Sequence, residues 1–416
     1  MRTRTLIYKL CALAAVIALA ALQTGGTHAA STAVVLHSFD DFDGAYPSTD
    51  LVRDAGGNLY GMTVLGGDFG SGTVFQLAPS GSGWTETVLH SFTSGADGGQ
   101  PYGGVTLDAQ GNVFGTTVIG GSGGVCVESG CGVVFKLTRT GSTWSPSVIY
   151  DFTGLDDGYG PGGPVVFDAQ GNLYGMTPTG GANGLGVVYK LTPGAGGAWT
   201  QSVIHTFTGG SDGATGSAGR LLVDNATGAI TGVATVGGQY GAGVVFRLTS
   251  TASGPWTPTT LYEFQGQPDA AFPYGGLLKD TAGNLYGTTY YGGANGLGAV
   301  YKLTSQGGAY TESVLHSFRG GRDGANSISN LVFGRAGNLF GTTSEGGAAG
   351  CGCGTVFRLA PKANGTWGER VVHRFEGVPD GAYAYSGLLV DAAGNLYGAT
   401  VHGGDDDDGA VFQITP

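Results

Sequence analysis

Short apolar runs separated by glycine, aspartate and asparagine recur along the whole chain, and they fall into groups of four. In the second group the runs span 104–108, 112–117, 133–138 and 147–152. Runs of this length, rich in Val, Phe, Tyr and Thr and bounded by turn residues, predict β-strands. Segments such as Val133-Val134-Phe135-Lys136-Leu137 are nearly apolar on both alternating faces. That is the pattern of a strand covered on both sides, since a half-exposed sheet alternates strictly between apolar and polar. The expectation is a set of small four-stranded sheets stacked face to face.

The groups are copies of one unit. Each carries Gly-Asn-Leu-Tyr-Gly or a variant, starting at Gly57, Gly111, Gly171, Gly228, Gly283, Gly337 and Gly394, 54 to 60 residues apart. The fourth copy (Gly228-Ala229-Ile230-Thr231-Gly232) is degenerate but keeps register. A Gly-Gly pair follows, as at Gly66-Gly67, and then a run such as Val74-Phe75-Gln76-Leu77. The unit closes with a segment seen whole from Trp84 to Phe92, and an aspartate stands after it. Seven units of four strands, each covered on both faces, predict an all-β, seven-bladed β-propeller. A β-solenoid is the runner-up, but its coils are shorter than this period. The last unit stops after its third strand, at Val411 to Pro416, while Ala33 to Phe39 at the other end reads as a fourth strand standing alone. The N-terminal strand is therefore expected to complete the last blade and close the ring, removing two sheet edges.

Composition agrees with dense β-structure. Of 416 residues 84 are glycine, 41% are hydrophobic and 12% are charged, which excludes disorder and disfavours helices. Met1 to Ala29 reads as a secretory signal: Arg2, Arg4 and Lys9 precede the apolar run from Cys11 to Leu22, and Thr27-His28-Ala29 offers a small residue for cleavage. The run of 12 residues is short of the roughly 20 that a membrane span needs. Residues 30–416 are read as one propeller domain that is secreted, extracellular or periplasmic, with no membrane span. Without the signal the chain has 15 basic against 30 acidic residues, which argues against nucleic acid as a partner.

The units resemble the GloVer (Gloeo_Verruco-type) tandem-repeat family of exported bacterial β-propeller-like proteins, through Gly-Asn-Leu-Tyr-Gly-x-Thr-x-x-Gly-Gly and the Val-Phe-Lys-Leu run. The resemblance covers all but the signal segment. It implies a surface or secreted protein, often with a C-terminal anchoring or sorting segment. This chain ends on a strand, so secretion is expected rather than surface anchoring.

Repetition sorts the candidate sites. His37, His90, His205, His316 and His373 share one position in the fourth strand, where the other two units place Tyr150 and Tyr262. Tyrosine substitutes for a packed imidazole but poorly for a metal ligand or base, so the series reads as scaffold. Trp84, Trp144, Trp199, Trp256 and Trp367 also share one position and read as packing. Asp43, Asp97, Asp157, Asp212, Asp269, Asp323 and Asp380 follow the fourth strands, on the face that also carries the Gly-Gly loops. They read as turn caps or as an acidic binding surface. Asp54, Asp108, Asp168, Asp224, Asp280 and Asp391 read as turn formers on the opposite face. Tyr102, Tyr274, Tyr290, Tyr291 and Tyr383 lie in or beside loops of the first face and are candidates to line a polar pocket.

Two features are confined to single units. Asp405, Asp406, Asp407 and Asp408 stand beside His402 and read as a solvated loop or a calcium site, although the Asp-x-Asp-x-Asp-Gly spacing is absent. Cys126 and Cys131 lie in one Gly-Gly loop, and Cys351 and Cys353 in another. Export favours local disulfides there, Cys126–Cys131 first. No cofactor is expected beyond such a calcium ion, and no catalytic residue is assigned. The function read from this is a monomeric, noncatalytic secreted scaffold binding an extracellular protein or glycan through its loop face. The alternatives are an extracellular hydrolase or lyase with carboxylates at the channel mouth, and a structural envelope or matrix component.

Overall fold

The anchor motif forms the second strand of every blade. Its copies Leu59–Thr63, Val113–Thr117, Leu173–Thr177, Leu285–Thr289, Leu339–Thr343 and Leu396–Thr400 are buried at all five positions. The glycine at the centre of this strand is there for space. A Cβ on Gly61 would stand 2.5 Å from the ring of Phe75, its partner across the third strand, and Gly115 repeats this with Phe135 at 2.6 Å. The aromatic ring thus lies over the glycine, filling the surface left bare on the strand.

That ring also joins neighbouring blades. Phe92, at the end of the first blade's outer strand, meets Phe135 of the second blade edge-to-face at 5.1 Å. The same contact recurs as Phe152–Tyr189, Phe207–Phe246, Phe264–Tyr301, Phe318–Phe357, Phe375–Phe412 and Phe39–Phe75. The tryptophans seal the other side of each seam, as in Tyr60–Trp144 at 6.3 Å and Trp84–Tyr397 at 6.2 Å. Edge-to-face pairs of this kind add to the burial of their large apolar area.

In the computed structural model, which describes residues 31–126, 129–216, 219–250 and 254–416, these contacts assemble seven blades into a ring. The first blade pairs Val52–Arg53, Leu59–Thr63, Thr73–Ser80 and Gly83–Ser91 in that order, antiparallel throughout. The last blade takes its outer strand from the other end of the chain. Thr32–Ser38 pairs with Ala410–Thr415, from Thr32 opposite Thr415 to Ser38 opposite Ala410. The first and last blades then share a core of Leu51, Leu59 and Phe75 with Tyr397 and Val411. Among the described residues, no helix is long and apolar enough to cross a membrane. Residues 1–29, expected to be a secretory signal, lie outside the described residues.

The strand boundaries depart from expectation at both edges of a blade. In the second blade the outer strand runs Thr143–Asp151 and thus begins before 147. Its first half alternates with solvent and carries Pro146, so it shows no apolar run. The inner strand, Thr106–Leu107, is shorter than 104–108 because Gly104 has left the ladder for the channel.

Candidate ligand-binding site

Every crossing from an outer strand to the next blade starts at one of the seven aspartates and ends at the channel. Three residues after the aspartate the backbone turns left-handed: Tyr46, Gln100, Gly160, Thr215, Phe272, Asn326 and Tyr383 have φ between 51° and 61°. Six of these carry a Cβ, for which this region is unfavourable by roughly 1–2 kcal/mol. The conformation is imposed by the neighbouring blade. Each N–H donates to a carbonyl in the previous blade's Gly-Gly loop: Tyr46 to Asp408, Gln100 to Ser71, Gly160 to Cys131, Thr215 to Leu185, Phe272 to Ala242, Asn326 to Leu297 and Tyr383 to Cys353. This staple aims the following residues inward.

The crossings meet at a floor near the ring axis. The Asp50 carboxylate accepts from the Asn330 side-chain amide and from the Gly387 N–H, and the Asn330 carbonyl oxygen accepts from the Gly276 N–H. Blades 1, 5, 6 and 7 are thereby tied together. Backbones pack closely here: a Cβ on Gly219 would stand 2.4 Å from the Gly276 nitrogen. Above the floor opens a well of about 240 Å³ whose lining includes residues of all seven blades. Tyr102, Tyr274 and Tyr385 stand at the same offset in blades 2, 5 and 7 and form its wall, with Ser48 and Ile328 at that offset in blades 1 and 6. The three tyrosines remain 48%, 41% and 38% exposed.

A second cavity of about 230 Å³ shares Ser48, Tyr102 and Tyr385 with the well and extends past Tyr46 and His402. The rings of Tyr46 and Tyr383 flank His402 at 4.9 and 5.7 Å. On the other side, Tyr290 contacts Tyr274 at 5.8 Å and Tyr291 at 4.6 Å. The phenols of Tyr290 and Tyr385 are held above their usual pKa, first by burial and then by their surroundings. Those surroundings are Glu345 and the neighbouring tyrosines. The two cavities therefore make one tyrosine-rich cleft whose polar groups are phenols, amides, the His402 imidazole and the Asp50 carboxylate.

The seven aspartates lie elsewhere, at the outer strands. Asp97 accepts from the His90 ring nitrogen at 3.1 Å and from the Thr93 N–H, and Asp157 accepts from the Tyr150 hydroxyl at 2.9 Å and the Thr153 N–H. The remaining five repeat the pairing, as His37–Asp43, His205–Asp212, Tyr262–Asp269, His316–Asp323 and His373–Asp380, at 2.8 to 3.2 Å. Three blades add a glutamate at the seam. Burial and the charge of Asp43 push Glu86 up to about 7, although His37 opposes the shift. Burial together with the charge and hydrogen bond of Asp269 takes Glu312 to about 8. Glu369 is raised in the same sense, by burial and then Asp323. With His316 and Asp323, Glu369 forms the single set of three metal-ligating types whose donor atoms lie within 4.8 Å among the described residues.

The Gloeobacter/Verrucomicrobia repeat matches this sequence over residues 25–127, 87–277 and 217–416. The chain belongs to that repeat family. No curated protein matches it. A puromycin-hydrolysing peptidase of Mycobacterium tuberculosis is similar in structure at a TM-score of 0.49 and 11% identity. The match covers 88% of this chain and 52% of the peptidase, so the chain spans about half of that protein's length. A protein of unknown function from Dyadobacter fermentans is similar at a TM-score of 0.45 and 13% identity, covering 93% of this chain and 98% of the other.

Within the Gloeobacter/Verrucomicrobia repeat units, the remaining sequence-predicted residues scatter. Tyr102 and Tyr274 enter the well, while Tyr291 packs on Tyr290 and Phe272, and Tyr383 on His402. Asp405, Asp406 and Asp407 point to solvent, and Asp407 caps the Gly403 N–H at 2.8 Å. Asp408 is less exposed, and its carbonyl receives the Tyr46 staple. Cys126 and Cys131 are bonded, with Cα atoms 5.4 Å apart, and Cys351 and Cys353 are paired at 5.1 Å. Asp54 accepts from the Asn58 backbone and side chain and from the Tyr60 hydroxyl, as a turn former does. Sequence reasoning missed Asp50, Asn330, Glu345 and Tyr385. For Tyr385 the signal was available, since it shares its offset from the aspartate with Tyr102 and Tyr274.

Proposed function

We propose that this chain is an exported, noncatalytic binding propeller, and that an extracellular protein segment or glycan docks in the tyrosine-lined well. The observation that carries the reading is the placing of Tyr102, Tyr274 and Tyr385 around one axial cavity, each with 38% or more of its surface still open. Large aromatic faces left exposed around a concave site are what recognition surfaces use. The floor beneath them is pinned by Asp50 and Asn330, so the wall is held ready for a ligand.

Export follows from the N-terminal signal pattern, and the two local cysteine pairs suit an oxidising compartment. The test is a glycan-array and pull-down screen with protein recovered after export from a bacterial host. N-terminal sequencing of that material should begin close to Ala30. The captured ligand should be lost on Tyr102→Ala combined with Tyr385→Ala and kept on substitution of an exposed residue far from the well, such as Val34→Ala. Retention by the tyrosine double variant would move the binding surface elsewhere.

A further inference from the structure

We infer that the well selects an organic cation, an alkylammonium or guanidinium group, which the tyrosine rings of the wall and the Asp50 carboxylate of the floor receive. The inference rests on the reading that the well is the ligand site. It adds the chemical class of the group that enters.

Four observations support it. The first is ring geometry. Tyr274, Tyr290 and Tyr291 meet edge-to-face in sequence, and Tyr102 and Tyr385 stand together on the shared lining of the two cavities. Of these rings Tyr102, Tyr274 and Tyr385 line the one small well, and a cation above a ring face is attracted by its quadrupole. The second is charge. The well floor carries the Asp50 carboxylate, and Glu345, exposed and outside the lining of both cavities, adds to the upward shift of the Tyr290 and Tyr385 phenols.

The third is the lack of a counter-ion. Neither cavity is lined by a lysine or arginine among the described residues. The one Lys–carboxylate or Arg–carboxylate ion pair among the described residues is Lys279–Asp224. Arg220 follows Gly219 at the floor, yet it forms no ion pair with Asp50. Asp50 instead accepts from the Asn330 amide and the Gly387 N–H, which hold the carboxylate in place.

The fourth is the restriction of these residues to particular blades. Glu345 and His402 occupy the position before the Gly-Gly pair, where other blades place Leu65, Ile119, Thr179 and Val236. A packing role there would favour an aliphatic residue such as Leu65, Ile119 or Val236 over Glu345 and His402.

The test uses the exported protein with tyrosine ring carbons labelled for NMR. The probes are choline, its neutral carbon isostere 3,3-dimethylbutanol, a tetralysine peptide and a neutral oligosaccharide such as cellopentaose. Choline and tetralysine should bind saturably and shift the Tyr385 and Tyr102 resonances, and dimethylbutanol and cellopentaose should not. Tighter binding of tetralysine than of choline would identify a basic protein segment as the source; equal binding would identify a free ammonium compound. Tyr385→Leu should weaken the cation by about five-fold or more, and Tyr385→Phe, which keeps the π face, should not. Glu345→Gln should weaken it in the same direction. Circular dichroism and thermal unfolding confirm that each variant is folded. Equal binding of the neutral isostere, or cellopentaose alone shifting the well tyrosines, would overturn the cation inference and leave the well as the ligand site. A captured ligand that leaves every well tyrosine unshifted would overturn both.

Discussion

The exchange of histidine for tyrosine in the outer strands shows what the side chain at that position must do. Burial lowers the pKa of His90 and His205 despite the adjacent carboxylate, which favours the neutral ring, and the His90 ring nitrogen is hydrogen-bonded to Asp97. A tyrosine hydroxyl donates to the same oxygen from the same place, as Tyr150 and Tyr262 do. His90→Tyr is therefore expected to change stability by less than about 0.5 kcal/mol. His90→Phe removes the donor and leaves Asp97 short of a partner, at a cost of about 1–3 kcal/mol in urea unfolding. The seam glutamates titrate in the opposite sense from surface carboxylates. Glu312 ionises near 4.5 in the unfolded chain and at about 8 in the fold. Its contribution is fully present below pH 4.5 and is lost as pH rises through about 8. The urea midpoint should fall between about pH 4.5 and 8, and Glu312→Gln should make that fall shallower. An unchanged slope would show that the carboxylate is solvated in the folded protein.

Among the elements, the second and third strands of each blade were plain in the sequence because both of their faces are buried. The edges were harder to read. Outer strands alternate with solvent, and inner strands pair over two residues before the chain turns away into the channel. The isolated N-terminal strand was legible because it repeats the fourth-strand sequence. Its pairing with Ala410–Thr415 makes a local change act on the whole ring. Deleting 33–39 should lower the melting temperature in a single cooperative transition. Phe39→Ala, which empties one wholly buried position, should cost about 3–5 kcal/mol. A wild-type melting curve after the deletion would mean that the ring does not depend on this strand.

For the molecule as a whole, the number of units and the pairing of Thr32–Ser38 with Ala410–Thr415 make the ring. Burial of both faces of each sheet requires neighbours on both sides, and seven copies with one displaced strand satisfy that requirement by closing. The sequence by itself therefore determined the blades, their count and the scaffold role of the histidine and tryptophan series, since a position that takes the same kind of ring in repeat after repeat serves the repeat. Tertiary structure alone decided the site. Tyr383 and Tyr385 are two residues apart, yet one packs on His402 and the other enters the well. The left-handed turn at Tyr383, enforced by the Cys353 carbonyl of the preceding blade, sets the direction of the chain beyond it. The seven aspartates show the converse. By sequence they share a face, but a partner seven residues away in most blades, and six away for Asp43, holds each carboxylate at the outer strand. Residue type and loop membership are local properties. The direction of a side chain on a propeller face depends on contacts between blades that no single repeat contains.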